Sequence, residues 1–179
     1  MMLRITSFAT ILFFAAAPAL AIGSGTSGGA PPTGINKVHK CKAHKVWSTK
    51  RHKCVKRRSA EVTDDDVFET GRLLAQAGDY DGAILVLSSA QNANDPRILN
   101  YMGYSNRKAG RFDIALSYYN QALTIDPDFV LAREYLGEGY AATGRIELAK
   151  AQLTEIATRC GVSCEEYADL AEAIKDASP

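Results

Sequence analysis

Gly110-Arg111-Phe112-Asp113-Ile114-Ala115 decides the fold, because the chain writes it three times. Gly78-Asp79-Tyr80-Asp81-Gly82-Ala83 precedes it by 32 residues, and Gly144-Arg145-Ile146-Glu147-Leu148-Ala149 follows it by 34. Seven residues upstream of each copy stands another glycine: Gly71, Gly103 and Gly137. Val67, Leu74, Ile84 and Leu116 supply apolar positions at helical spacing between these markers. A period of this length holds one helix–turn–helix unit, which buries its apolar face only by stacking on its neighbours. The small pairs Gly103/Ala115 and Gly137/Ala149 let the two backbones of a unit approach closely. Tyr119, Leu153 and Leu87 then fill the space to the next unit.

The middle copy is the fullest, with Leu99, Met102-Gly103, Gly110, Ala115, Tyr119, Ala122 and Pro127 in register. The third has Leu136-Gly137, Tyr140, Gly144, Ala149 and Leu153. The first has Gly71, Leu74, Ala83, Leu87 and Ala90, but Thr70 where Leu is usual. This pattern resembles the tetratricopeptide repeat family, over about residues 64–161. The fold class expected is therefore all-α, a solenoid of three repeats (about 64–95, 96–129 and 130–161) within a domain spanning 61–179. Asp126-Pro127-Asp128 reads as a stop and a restart, with Pro127 near the first turn of the next helix. Gly161 reads as a helix stop and Ser163-x-x-Glu166 as a capping box, opening a terminal capping helix at about 163–176.

The resemblance implies a protein or peptide partner, bound on the concave face lined by the first helix of each repeat. Carried onto this chain, the lining positions are Asp65, Phe68, Arg72 and Ala75, then Arg97, Asn100, Tyr104 and Arg107, then Leu131, Glu134, Glu138 and Ala141. The partner-binding candidates among them are Phe68, Arg72, Arg97, Asn100, Tyr104, Arg107, Glu134 and Glu138. Some members of the family clamp a carboxylate with Lys, Asn and Arg. Phe68, Arg72, Tyr101, Leu131 and Tyr135 stand at those positions here, so that clamp is absent.

Charge divides the chain differently. The 179 residues carry 21 Lys+Arg and 20 Asp+Glu, a formal net charge of +1. Residues 22–60 hold ten Lys/Arg and no acid, whereas residues 61–179 hold ten Lys/Arg and all twenty acids. A block of +10 cancels a block of −10. The balanced sum argues against nucleic acid as the partner.

The basic segment, 36–60, contains Cys41 and Cys54 around Val46-Trp47 and the turn-like Ser48-Thr49-Lys50-Arg51. In an exported chain two cysteines so spaced most simply pair and close a small hairpin-like loop. His39, His44 and His52 offer a metal alternative, but their spacing matches no standard zinc pattern and ten cations oppose a divalent ion. No metal is expected. Lys45, Trp47, Lys50, Arg51 and Lys53 form a candidate surface for a polyanion such as an anionic envelope polymer or lipid. The other reading folds this cationic arm back onto the chain's own acidic body. Cys160 and Cys164 flank the turn before the capping helix and suit a structural disulfide there, their spacing being Cys-x3-Cys rather than a redox Cys-x-x-Cys.

Residues 1–21 read as a signal peptide: Arg4, an apolar run through Ile11–Phe14, then Ala19-Leu20-Ala21. The apolar core is short for a membrane span, so no transmembrane anchor is expected after cleavage. Residues 22–35 are a Gly/Ser/Pro linker. Export, with the periplasm as the first expectation and full secretion as the second, follows from the leader. No Ser/His/Asp set or paired-acid arrangement stands in the helical region, so neither enzyme activity nor a cofactor is expected. Two functions follow: a periplasmic protein-interaction scaffold, or an envelope anchor that grips a polyanion through its basic loop with the repeats as spacer.

Overall fold

Thr63 opens the helical region with a cap the sequence reading passed over. Its hydroxyl accepts from the Asp66 amide at 3.2 Å while the Asp66 carboxylate accepts from the Thr63 amide at 3.2 Å, a capping box that satisfies two orphan donors. The computed structural model describes His39 and residues 41–178. From Thr63 onward it shows α1 (Asp64–Gln76), α2 (Tyr80–Leu87), α3 (Pro96–Lys108), α4 (Phe112–Ile125), α5 (Val130–Ala142), α6 (Ile146–Cys160) and α7 (Glu165–Ala177). The leader and linker readings, 1–21 and 22–35, lie outside the described residues.

Each repeat is a helix pair turned at a glycine. Gly78, Gly110 and Gly144 have φ of +83°, +79° and +73°, a left-handed backbone that side chains disfavour. Asp95 caps α3 by accepting from the Arg97 amide at 2.9 Å, with Pro96 in the first turn. The signal at Asp126-Pro127-Asp128 works otherwise than expected. α4 stops at Ile125, α5 starts at Val130, and no acid stands in its first turn. Pro127 stays in the connection, where its carbonyl accepts from Arg133 and Arg159. Those guanidinium bonds hold the chain in an extended turn and push the helix start past Asp128.

Small residues set the helix spacing. A Cβ on Gly103 would lie 2.5 Å from Tyr119, one on Gly71 2.4 Å from Leu87, and one on Gly137 2.5 Å from Leu170. Repeats are also stitched by a recurring surface pair, Asp81 to Arg111 at 3.0 Å and Asp113 to Arg145 at 3.4 Å. Exposed pairs of this kind contribute little energy and mainly fix orientation.

Both ends of the stack are covered. At the C-terminus Leu170 and Ile174 of α7 bury Ala141, Ala149 and Ile156. The capping box expected at Ser163 is not formed: α7 begins at Glu165, after Cys164 in extended conformation, with no side-chain cap bond. The Cys160–Cys164 disulfide fixes that turn and puts Cys164, not Ser163, at the helix boundary. At the N-terminus the cover is the basic segment itself. β1 (Val46–Ser48) and β2 (Lys53–Val55) pair antiparallel with Val46 opposite Val55, and Cys54 is bonded to Cys41. Val46 is fully buried among Val62, Val67 and Val86. Ser48 donates to the Glu61 carbonyl at 2.8 Å, and the Thr49 amide donates to Asp66 at 3.1 Å. No helix among the described residues is long and apolar enough to cross a membrane.

Candidate functional site

The face shared by α1, α3 and α5 carries a continuous line of aromatic rings. Phe68 meets Tyr101 edge-on at 5.6 Å between centroids, Tyr101 lies 5.8 Å from Tyr104, and Tyr104 lies 5.2 Å from Tyr135. Tyr135 also reaches the buried Tyr119 at 6.2 Å. Two arginines are threaded through the line. The Arg97 guanidinium sits 4.9 Å from the Phe68 ring, and that of Arg107 sits 5.7 and 5.6 Å from Tyr104 and Tyr135. Such contacts favour flat, weakly hydrated guanidinium over ammonium.

The arginines on this face are already matched, whereas Lys108, whose ammonium lies 5.6 Å from the Tyr104 ring, has no carboxylate partner among the described residues. Arg97 pairs with Asp65 at 2.8 Å and Asp95 at 2.7 Å, and Arg72 pairs with Glu69 at 2.8 Å. Arg107, only 9% exposed, pairs with Glu138 and donates to the Tyr119 hydroxyl at 3.4 Å. Burial alone would lower the Arg107 pKa, but Tyr119 and Glu138 more than offset it and leave it raised. Burial likewise pushes the Tyr101, Tyr104 and Tyr135 hydroxyls up, so these rings present neutral phenols.

The acids are not all matched. Glu134 is 5% exposed and has no hydrogen-bond or ion-pair partner among the described residues. Its carboxyl is pushed up to about 8, first by burial and then by the neighbouring carboxylates of Glu138, Asp169 and Glu166, against the opposing charge of Arg107. The third-repeat end of the face is therefore an acidic patch whose deepest member lacks a counter-charge.

Of the expected lining residues, the structure brings Phe68, Arg97, Tyr104, Arg107, Glu134 and Glu138 to this face, with Arg72 at its α1 edge. Asn100 is a correction: it is fully buried beneath the face, and neither of its amide atoms has a partner among the described residues. Ala75 and Ala141 are buried too. The residues missed are Tyr101 and Tyr135, which the sequence reading considered only as departures from a carboxylate clamp. Their signal was available, since three tyrosines stand at 101, 104 and 135 on the first helices of adjacent repeats.

On the hairpin, the expected polyanion surface is divided. Arg51 is engaged by Glu61 at 2.9 Å, and Trp47 stacks on His39 with centroids 3.4 Å apart. Lys45, Lys50 and Lys53 are exposed. The arm therefore folds back on the body through Arg51 alone among these five. Cys160, Cys164 and Glu166 come close enough to share an ion, but both sulfurs are taken up by their disulfide.

Residues 96–129 match the family model described as tetratricopeptide repeat. The chain has a tetratricopeptide repeat fold. Solved tetratricopeptide structures agree with that assignment. One is the TPR2B domain of yeast Sti1 in a complex with pHsp70, 17% identical, covering 64% of this chain and 94% of that one with a TM-score of 0.58. Another is the type III secretion translocator chaperone SycD of Yersinia enterocolitica, 15% identical, covering 65% and 86% with a TM-score of 0.55. Among curated relatives, an uncharacterized protein ycf37 of Guillardia theta is 26% identical over 100 residues, 52% of this chain. This chain spans 56% of that relative's length.

Proposed function

We propose that this tetratricopeptide protein is a scaffold that binds an extended protein segment along the α1/α3/α5 face. The segment would lay apolar or aromatic side chains on the ring line and seat one Lys or Arg at Glu134. The observation that carries the reading is the unmatched, nearly buried Glu134 at the end of an aromatic strip whose arginines are already paired. An incoming cation gives that carboxylate the counter-charge it lacks, and the tyrosines supply contact area at low entropic cost. Solved proteins of this fold include the yeast Sti1 domain in its pHsp70 complex and SycD with a peptide of the translocator YopD, which supports a peptide-sized occupant. Export to the periplasm is part of the proposal. It rests on the leader-like residues 1–21 and on two disulfides, which suit an oxidising compartment; N-terminal sequencing of the protein from cell envelopes tests it.

The binding reading is tested by selecting peptides from a random display library on the purified chain and measuring affinities by fluorescence anisotropy. Selected peptides should combine an aromatic or large apolar residue with Lys or Arg. Tyr104→Ala should weaken all of them, whereas Glu134→Gln should remove the preference for the basic residue. A library yielding no enriched sequence, or binders indifferent to both substitutions, overturns the proposal.

A further inference from the structure

The cations at the base of the hairpin form a second site. The strand pair ends with Val46 opposite Val55, and the next residues outward, Lys45 and Lys56, line one cavity at the ladder's end. Like charges so placed repel. Arg57 and Arg58 follow directly, and with His44 these four line a cavity of about 310 Å³ whose lining contains no acid. The walls are held in place. Arg57 Nη1 donates to the His44 carbonyl at 3.4 Å, and His44 Nε2 lies 3.4 Å from Asp79 at the start of α2, on the repeat body.

The contrast with the rest of the chain is what gives the cavity meaning. Arg51, Arg72, Arg97, Arg107, Arg111, Arg133, Arg145 and Arg159 each pair with a carboxylate of the acid-bearing body. Lys45, Lys56, Arg57 and Arg58 have no carboxylate partner among the described residues, although they stand together. We infer that this cavity is an anion site for a phosphate group. Two guanidinium forks supply the paired donors that match phosphate oxygens, and two ammonium groups add point charge. Bound phosphate would convert the Lys45/Lys56 repulsion into a shared contact. The residues differ from the hairpin-tip set that composition suggested, with only Lys45 in common. A free phosphate and the headgroup of an anionic phospholipid present the same chemistry to it.

The test uses the full chain and two double variants that remove equal charge. Lys45→Gln/Lys56→Gln alters the cavity, and Lys50→Gln/Lys53→Gln alters the hairpin tip. Inorganic phosphate is titrated by calorimetry, and co-sedimentation is measured with phosphatidylglycerol and with phosphatidylcholine vesicles. The wild type should bind phosphate saturably or sediment with phosphatidylglycerol in excess of phosphatidylcholine. The first outcome alone marks a soluble phosphate ligand and the second alone a lipid headgroup; either supports the site. The cavity variant should lose roughly tenfold or more in that affinity, with the tip variant within about twofold of wild type. The cavity variant should also melt no lower than wild type, because it removes a like-charge contact. Equal losses in the two variants would show diffuse attraction to a basic arm, and absence of binding in both wild-type arms would show no site. Either result overturns the inference.

Discussion

Gly103→Ala isolates the feature that spaces the helices of the middle repeat. Two effects of opposite sign compete. Replacing glycine inside a helix gains about 0.5–1 kcal/mol from backbone entropy. Against this, the new methyl would lie 2.5 Å from Tyr119 Cε1 and 2.7 Å from Cδ1, well inside contact distance. Tyr119 cannot swing away. It is fully buried among Ala115, Leu116 and Leu136, its hydroxyl accepts from Arg107, and its ring adjoins Tyr135. Overpacking of this kind costs about 1–3 kcal/mol, so the steric effect prevails by about 1 kcal/mol at the middle of the two ranges. For a helical body of this size that corresponds to a fall in Tm of several degrees. Gly137→Ala should cost less, because it meets the methyl ends of Leu170 rather than a ring edge, whereas Gly71→Ala also meets the Leu87 branch carbon at 2.5 Å and should cost as much. Thermal and urea unfolding followed by circular dichroism would rank the three. Tyr119→Leu in the Gly103→Ala background should recover part of the loss, giving a double-mutant coupling of the order of 1 kcal/mol. A Gly103→Ala protein more stable than wild type, or a cycle with no coupling, would refute the close-approach argument.

Glu134→Gln should become more stabilising as pH rises. The carboxyl is neutral in both states below its ordinary 4.5, whereas between 4.5 and about 8 the unfolded chain ionises more readily. The wild type therefore loses stability through that interval, with a ceiling of roughly 5 kcal/mol above pH 8; a difference between variant and wild type that stays flat from pH 5 to 9 in urea unfolding would contradict it. Opening the Cys41–Cys54 disulfide, which spans 13 residues, by Cys41→Ser/Cys54→Ser should remove about 3 kcal/mol from the hairpin. Amide exchange at Val46–Ser48 should quicken while that of α5 and α6 is unchanged. Val46→Asp places a carboxylate in the Val62/Val67/Val86 cluster and should undock the hairpin, so that trypsin cleaves after the already exposed Lys50 and Arg51 much faster than in wild type.

The repeats were readable because their signal is redundant. Gly, Gly and Ala recur at fixed offsets, and each recurrence reports the same event, two backbones passing closely. The N-terminal cover was not readable for the opposite reason. Val46, Val55 and Val62 are single apolar residues in a segment that otherwise reads as solvated cations, and three valines have no period to detect. Boundary signals failed where tertiary contacts competed with local capping. Pro127 was taken by two arginines from later helices, and Ser163 by the geometry of a disulfide turn. In the candidate site the framework positions came out of the repeat register, but which of them reach solvent did not. Asn100 and Tyr104 are four residues apart on one helix, yet the first is buried and the second half-exposed, because the depth of the stack at each position depends on neighbouring side chains.

Asp66 explains why the basic segment is better regarded as the terminal layer of the stack than as an attached module. One of its oxygens accepts from Thr49 in the hairpin and the other from Thr63 at the helix cap, so one nearly buried carboxylate positions both. The next turn of α1 carries Phe68 and Arg72, the first residues of the candidate groove. Hairpin, α1 and groove are thus one mechanical piece, and the basic arm sits against an acid-rich first repeat, whose residues 61–95 hold eight Asp/Glu and one Arg. Unpaired cations stand beside the first repeat, and Glu134, Glu138, Glu166 and Asp169 stand together at the last. On the function proposed above, an extended ligand with one basic side chain would seat it at the α5 end, beside Glu134. That seat fixes the direction in which the segment lies, a role for charge that short contacts along the tyrosines do not supply.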